Sequence, residues 1–162
     1  MKESAVESVV SVREIQQNNV PALFAVRTAT RENTLSREEL ARLGITESSV
    51  RAMLDSSHRG WLCEIDDRVV GFAMGNRRTG EMWVIAVLPE FEGRGIGATL
   101  LAKVEDWLWA EGWPVIWLTT DVDPALRAYG FYRAQGWVDH EITGGMRCMK
   151  KLKYPGSSRR NR

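Results

Sequence analysis

Val87–Leu101 reads VLPEFEGRGIGATLL, with Gly93, Gly95 and Gly97 at alternate positions just ahead of an apolar helical pattern. Glycine contributes nothing to packing and, proline apart, is the poorest residue to place beside a helix start. A strand, a glycine-rich turn and a helix start together make an anion site. The first helical amides have no partner inside the helix, the macrodipole adds partial positive charge there, and glycines let a phosphate approach. Arg94 adds a cation beside these amides. The simpler reading is a tight turn in which glycine serves only backbone conformation, and three alternating glycines weigh against it.

Working outward, Gly97, Leu100, Leu101, Val104 and Leu108 recur at helical spacing, and Gly112 ends that helix. On the N-terminal side lie three runs, WLCEI (61–65), VVGFAMG (69–75) and EMWVIAV (81–87), joined by the turns Asp66-Asp67 and NRRTG (76–80). They predict an antiparallel meander. Alternation predicts a first strand over Val9–Ile15, and Asn18 or Asn19 caps a helix reaching Thr28. Ser36 with Glu39 forms a capping box for a helix ending at Gly44, and Thr46 begins another.

Beyond the glycine stretch, VIWLTTD (115–121) is a strand whose apolar start suggests burial on both faces, as in a parallel pair. Asp123 and Pro124 open the helix PALRAYGFYRAQ, which Gly136 ends, and WVDHEI and MRCMKKL form a hairpin around Gly144-Gly145. In condensed form the order is β-α-α-β-β-β-α-β-α-β-β. This is one α/β domain over residues 1–152 with a mixed, mostly antiparallel sheet of six to seven strands. A disordered basic tail is expected over 153–162.

Bulk properties exclude several classes. The 162 residues suffice for one domain with a core of its own, and the net charge of +1 supplies no global field to recruit nucleic acid or anionic lipid. No leader pattern and no long apolar run occurs, so a cytoplasmic protein is expected. Cys63, Cys148, His58 and His140 are too few and too scattered for a zinc motif, and no metal is expected.

Two phosphate-binding motifs fail against the stretch. A Walker A loop needs Lys and then Ser or Thr after its last glycine, but Ala98-Thr99 follows Gly97. A dinucleotide fingerprint needs G-x-G-x-x-G directly after a strand, whereas this chain has G-x-G-x-G after the spacer LPEFE. Asp121 imitates that fingerprint's ribose-binding acid, but the upstream meander does not start a doubly wound sheet. The run instead resembles the acetyl-CoA motif of the GNAT N-acetyltransferase superfamily, Q/R-x-x-G-x-G/A after a strand ending in V-x-P. Glu92 stands in the Gln/Arg place, a departure that removes a donor.

The resemblance implies a sheet splayed between its fourth and fifth strands, with acetyl-CoA in the opening as co-substrate. Backbone at Val87 and Leu88 would meet the pantetheine arm. Glu92, Gly93, Arg94, Gly95, Ile96, Gly97 and Ala98 would surround the pyrophosphate. Arg127 or Arg133 is placed to meet the 3′-phosphate. The stretch ALRAYGFYRAQGW resembles the family's later motif and implies Tyr132 as the acid that protonates the departing sulfur. Ala125 and Ala128 share its helical face, Ala125 standing where the family often has Asn. Tyr129, on another face, is read as structural. Glu81 matches a glutamate that histone-type members use as a base through water, and strand alternation sets it on one face with Trp83, Ile85 and Val87.

The chemistry implied is acetyl transfer to an amine. An alkyl amine with a pKa of about 10 must lose a proton before it attacks. The acceptor pocket is expected between residues 28–43 and the last hairpin, with Trp83, Arg31, Glu32 and Asn33 as candidate contacts. Small amines, amino-acid analogues, aminoglycosides and peptide N-termini all remain open as acceptors. A homodimer is expected from family habit. The alternative is a non-catalytic acyl-CoA-binding or regulatory module of the same fold, which Glu92 and Ala125 favour and Tyr132 and Glu81 oppose.

Overall fold

The computed structural model describes residues 8–153 except Asn33, so the expected tail, Lys153 apart, lies outside the described residues. The elements are β1 (Val10–Glu14), a 3-10 turn (Gln17–Asn19), α1 (Val20–Arg27), α2 (Arg37–Arg42), α3 (Glu47–Leu54), β2 (His58–Ile65), β3 (Arg68–Asn76) and β4 (Glu81–Val87). A second 3-10 turn (Pro89–Phe91) leads to α4 (Ile96–Ala110), β5 (Val115–Asp121), α5 (Arg127–Ala134), β6 (Val138–Thr143) and β7 (Met146–Leu152). Between β1 and β2 there are three separate helices where the condensed order has two.

Local chemistry accounts for most boundaries. The Ser36 hydroxyl accepts from the Glu39 amide at 3.1 Å while the Glu39 carboxylate accepts from the Ser36 amide at 3.1 Å, the reciprocal box that starts α2. Asp66 and Asp67 both hold positive φ, 50° and 66°, the mirror-image turn that suits a two-residue hairpin. Asn19 sits at the start of α1 but does not cap it. Its Oδ1 accepts from the Gln16 amide at 2.8 Å and from Arg13 Nη1 at 3.0 Å.

The strands form one sheet in the order β1-β2-β3-β4-β5-β7-β6. All neighbours are antiparallel except β4 and β5, which run parallel and share a single paired position, Glu81 with Trp117. From there the two strands diverge, which is the splay. The expectation of burial on both faces of β5 is not met. Ile116, Leu118 and Thr120 are buried while Thr119 is exposed, because β7 pairs antiparallel on one side and the splay opens on the other.

Helix α4 packs across the sheet and inserts Leu100, Leu101, Val104 and Leu108, each at most 1% exposed. Burying each contributes about 1.5–3 kcal/mol. Gly75 permits this approach, since a Cβ there would lie 2.8 Å from Val104 Cγ1. The buried Glu105 of α4 accepts from Trp137 Nε1 at 2.8 Å and from Lys151 Nζ at 2.9 Å, tying the helix to β7. No helix among the described residues is long and apolar enough to cross a membrane.

Candidate active site

The glycine stretch leaves β4 through the 3-10 turn and enters α4 at Gly95, which holds φ +79°; Gly93 holds φ +77°. Both positions need glycine for backbone conformation. Gly97 is helical, and a Cβ there would sit 3.4 Å from the Phe131 ring. Gly93 and Gly95 therefore have a reason within the chain itself, whereas the contact at Gly97 is an ordinary one that a side chain could make. A Cβ at Gly93 or Gly95 would meet no atom within 4 Å, so both look onto open space. The start of α4 supplies amides with no helical partner beside that space. These features fit a bound pyrophosphate.

Two cavities occupy the splay. One, of about 240 Å³, is lined by Val87, Glu92, Gly93, Gly95, Ile96 and Gly97 from the motif, by Arg31 and Glu32, and by Arg127, Ala128 and Tyr132. The other, of about 530 Å³, is lined by Trp83, Glu32, Ala128 and Tyr132, together with Arg27, Leu35, Met146 and the Thr119–Asp121 end of β5. They meet at Ile85, Ala86, Ala128 and Tyr132. Tyr132 is 6% exposed, and burial pushes its phenol pKa up, so it stays protonated at neutral pH.

Glu92 does not stand alone. Its Oε2 is ion-paired to Arg127 Nη1 and lies 3.6 Å from Arg31 Nη2, while Glu32 Oε2 accepts from the Arg127 amide at 2.9 Å. The carboxylate that replaces the family's donor is thus held by two arginines in the cavity wall. Arg94 lies over the Phe91 ring, 5.0 Å from its centroid, and does not line either cavity; Ala98 does not line them either, and Leu88 is buried.

Two expected placements are corrected. Ala125 does not share a helical face with Ala128 and Tyr132, because α5 begins only at Arg127. The Asp123 carboxylate accepts from the Ala125 amide at 2.9 Å and holds residues 123–126 in a turn, leaving Ala125 exposed. Glu81 is absent from the described residues lining the two cavities. In β4, Met82 is opposite Gly75 and Val84 opposite Met74, so Trp83 is an extra, bulged residue. Counting by twos across a bulge fails, and Glu81 does not share a face with Ile85 and Val87 by alternation. Glu81 sits instead at the closed end of the splay, where burial raises its carboxyl pKa.

Several wall residues carry no sequence signal of their own. Phe91, Phe131, Thr119, Thr120 and Arg27 reach the cavities through topology. Only the placement of β5 across the splay would have found Thr119 and Thr120. Tyr129 is structural, its hydroxyl donating to Asp139 Oδ2 at 3.0 Å under the Arg147 guanidinium.

A sheet parted beside a glycine-rich helix start defines a class, and comparison with known proteins agrees. The acetyltransferase (GNAT) family model matches residues 20–137, and the chain belongs to that family. The mycothiol acetyltransferase of Streptomyces griseus is 35% identical over 86 residues, 51% of this chain and 28% of that protein. An uncharacterised N-acetyltransferase of Methanocaldococcus jannaschii is 28% identical over 102 residues, 57% of this chain and 45% of that one. The chain thus spans less than half the length of the curated relatives it matches. In fold it is similar to the PaiA N-acetyltransferase of Thermoplasma acidophilum, solved with coenzyme A, at a TM-score of 0.77 and 18% identity over 90% of this chain and 99% of that one.

Proposed function

We propose that the protein is an acetyl-CoA-dependent N-acetyltransferase acting on a primary amine of a small molecule or peptide by direct attack in a ternary complex. The observation that carries this reading is the position of Tyr132, where the cavity beneath the glycine motif meets the cavity open to an acceptor. Amides at Gly93, Gly95 and Gly97 receive the pyrophosphate. The free edge of β4 at Val87 pairs with the pantetheine arm, since β5 has diverged there and Gly71 takes only the other edge.

Acetyl-CoA supplies an acyl carbon already activated as a thioester. The amine nitrogen bonds to that carbon, the carbon–sulfur bond breaks, and Tyr132 donates its proton to the sulfur as it leaves. Burial keeps the phenol loaded for this step. The amine's proton passes to water in the acceptor-side cavity, Glu81 lying outside the lining of both cavities. The proposal includes a homodimer, for which Ile142, exposed on the edge strand β6, offers an apolar contact.

The test is release of CoA thiol in the presence of an amine panel. Turnover lowered about 100-fold or more by Tyr132→Phe, with CoA binding retained, is the expected result. Full kcat in that variant would remove Tyr132 from the mechanism. No thermal shift with millimolar acetyl-CoA would remove the reading itself.

A further inference from the structure

A third cavity, of about 150 Å³, lies between helices α1–α3 and the sheet. Its walls are the buried Leu23, Phe24, Leu40, Val50, Phe72 and Met74. Leu35, Trp83 and Val84, all half-buried, line both this recess and the acceptor-side cavity, so the two adjoin along one wall. A packed core holds few voids larger than a water molecule. An apolar cavity of about 150 Å³ is large enough to take benzene. Arg27 is the one charged residue lining the recess among the described residues, and it already has a partner in the chain. The recess therefore has room for an uncharged apolar group and offers no free partner to a charged one.

The neighbouring cavity, which leads on to Tyr132, has a different character. Glu32 and Asp121, both half-buried, line it. Glu32 Oε2 accepts from the Arg127 amide at 2.9 Å, and Asp121 Oδ1 accepts from the Asp123 amide at 2.8 Å. A backbone amide is a dipole without net charge, so two carboxylates stand in this lining against the single guanidinium of Arg27. An arriving ammonium is attracted by that balance and a second carboxylate is repelled.

Resting on the acetyltransferase reading, we propose that the acceptor is a primary amine on an uncharged apolar group of pentyl to phenylethyl size, with neither a carboxylate nor a second cation. The ammonium enters past Glu32 and Asp121 and loses its proton to water. Its nitrogen then lies at the junction of Ala86 and Tyr132 while the apolar group fills the recess. Val84 on the shared wall and Ala86 at the junction are two residues apart on β4, about 7 Å, a span that a two-carbon linker and a ring cover. A second ammonium would be buried in the recess without a partner, and a carboxylate would meet Glu32 and Asp121. Val50, Glu32 and Asp121 are then specificity-determining residues.

The test is thiol release from acetyl-CoA with amines in matched pairs, alongside calorimetric titration of 2-phenylethylamine into the CoA-loaded protein. The pairs are 2-phenylethylamine with phenylalanine, pentylamine with 1,5-diaminopentane, and pentylamine with ethylamine. The first of each pair is expected to lead in kcat/KM, by about tenfold against the added carboxylate and about 100-fold against the added ammonium. Against the shortened chain the lead is also about 100-fold. Phenylalanine, 1,5-diaminopentane or ethylamine matching its pair overturns the proposal and leaves the acetyltransferase reading standing. Glu32→Gln with Asp121→Asn keeps both amide acceptors and removes both charges. It is expected to shrink the lead over phenylalanine to about threefold or less while sparing the lead of pentylamine over ethylamine; an unmoved ratio overturns the role of the carboxylates. Val50→Phe fills the recess from a wall the acceptor-side cavity does not share, and it is expected to erase the lead of pentylamine over ethylamine. A folded variant that keeps that lead overturns the recess, and should the variant not fold, the pair in the unaltered protein decides. Binding of 2-phenylethylamine without thiol release from any amine supports the recess and overturns the catalytic reading. Neither binding nor release overturns the proposal, the thermal shift with acetyl-CoA reporting separately on the reading beneath it.

Discussion

The two sides of the splay are built from different materials. The side under the glycine motif presents backbone at its centre, with two residues at positive φ and a helix start, ringed by the side chains of Arg31, Glu32, Glu92 and Arg127. The opposite side is mostly side chain, contributed by α1, the following loop, β4, β5 and β7. A backbone site is indifferent to most side-chain changes and sensitive to any that alter φ. A side-chain site changes what it binds with each substitution. The contrast teaches that one half of such a molecule can hold a single ligand while the other half is free to vary its partner.

Tyr132 belongs to both halves, so removing its hydroxyl should have the largest effect. Tyr132→Phe is expected to lower kcat by about 100-fold or more, with affinity for CoA little changed. Steady-state kinetics beside calorimetry would show this. Next comes Gly95→Val, which forces a β-branched residue into the left-handed region. CoA affinity should fall by about 100-fold, while the protein stays folded by circular dichroism. A variant binding within a few-fold of the original would break the contrast, because the cradle would then not depend on backbone conformation.

Glu92 tests one of the two acidic side chains, with Glu32, that line the backbone-built side among the described residues. A carboxylate beside a bound pyrophosphate repels it, and here it also occupies Arg31 and Arg127. Glu92→Gln is expected to tighten CoA binding by roughly fivefold at low salt and less at high salt. Weaker binding would mean that Glu92 serves to orient Arg127 instead. The smallest effect concerns Glu81. Burial raises its pKa, so stability is expected to fall as pH rises through that value and the carboxylate ionises. Glu81→Gln should therefore raise Tm at pH 7.5 but not at pH 4, where both side chains are neutral.

The backbone-built side was the legible one, for a physical reason. Positive φ demands glycine, turns demand Asp or Gly, and helix starts demand caps, so Gly93, Gly95, Asp66 and Ser36 announce their conformations locally. Strand β5 falls on the residues its composition indicates, Val115–Asp121. What failed was whatever depends on a neighbour. The bulge at Trp83 exists only as a mismatch with β3, and it moved Glu81 out of the expected row. The start of α5 depended on whether Asp123 would cap a helix or a turn, and it holds the turn. Arg27, Thr119 and Met146 share a cavity although far apart in sequence.

The single paired position between β4 and β5 has a mechanical consequence. Within the sheet two plates are joined at one short side, with α4 bridging them through Glu105 and Lys151, and the joint in the sheet is specific. Trp117 Nε1 donates to the Thr79 carbonyl at 2.9 Å, and Trp113 Nε1 donates to the Arg77 carbonyl at 2.6 Å. Strand β4 runs about 20 Å from this pivot to Val87, so a small rotation at the pivot becomes a much larger displacement at the far end. The gape of the slot is thus set by leverage. Its adjusting screws are the two indoles and the carbonyls of the β3–β4 turn, at the opposite end of the strand from the glycines they serve.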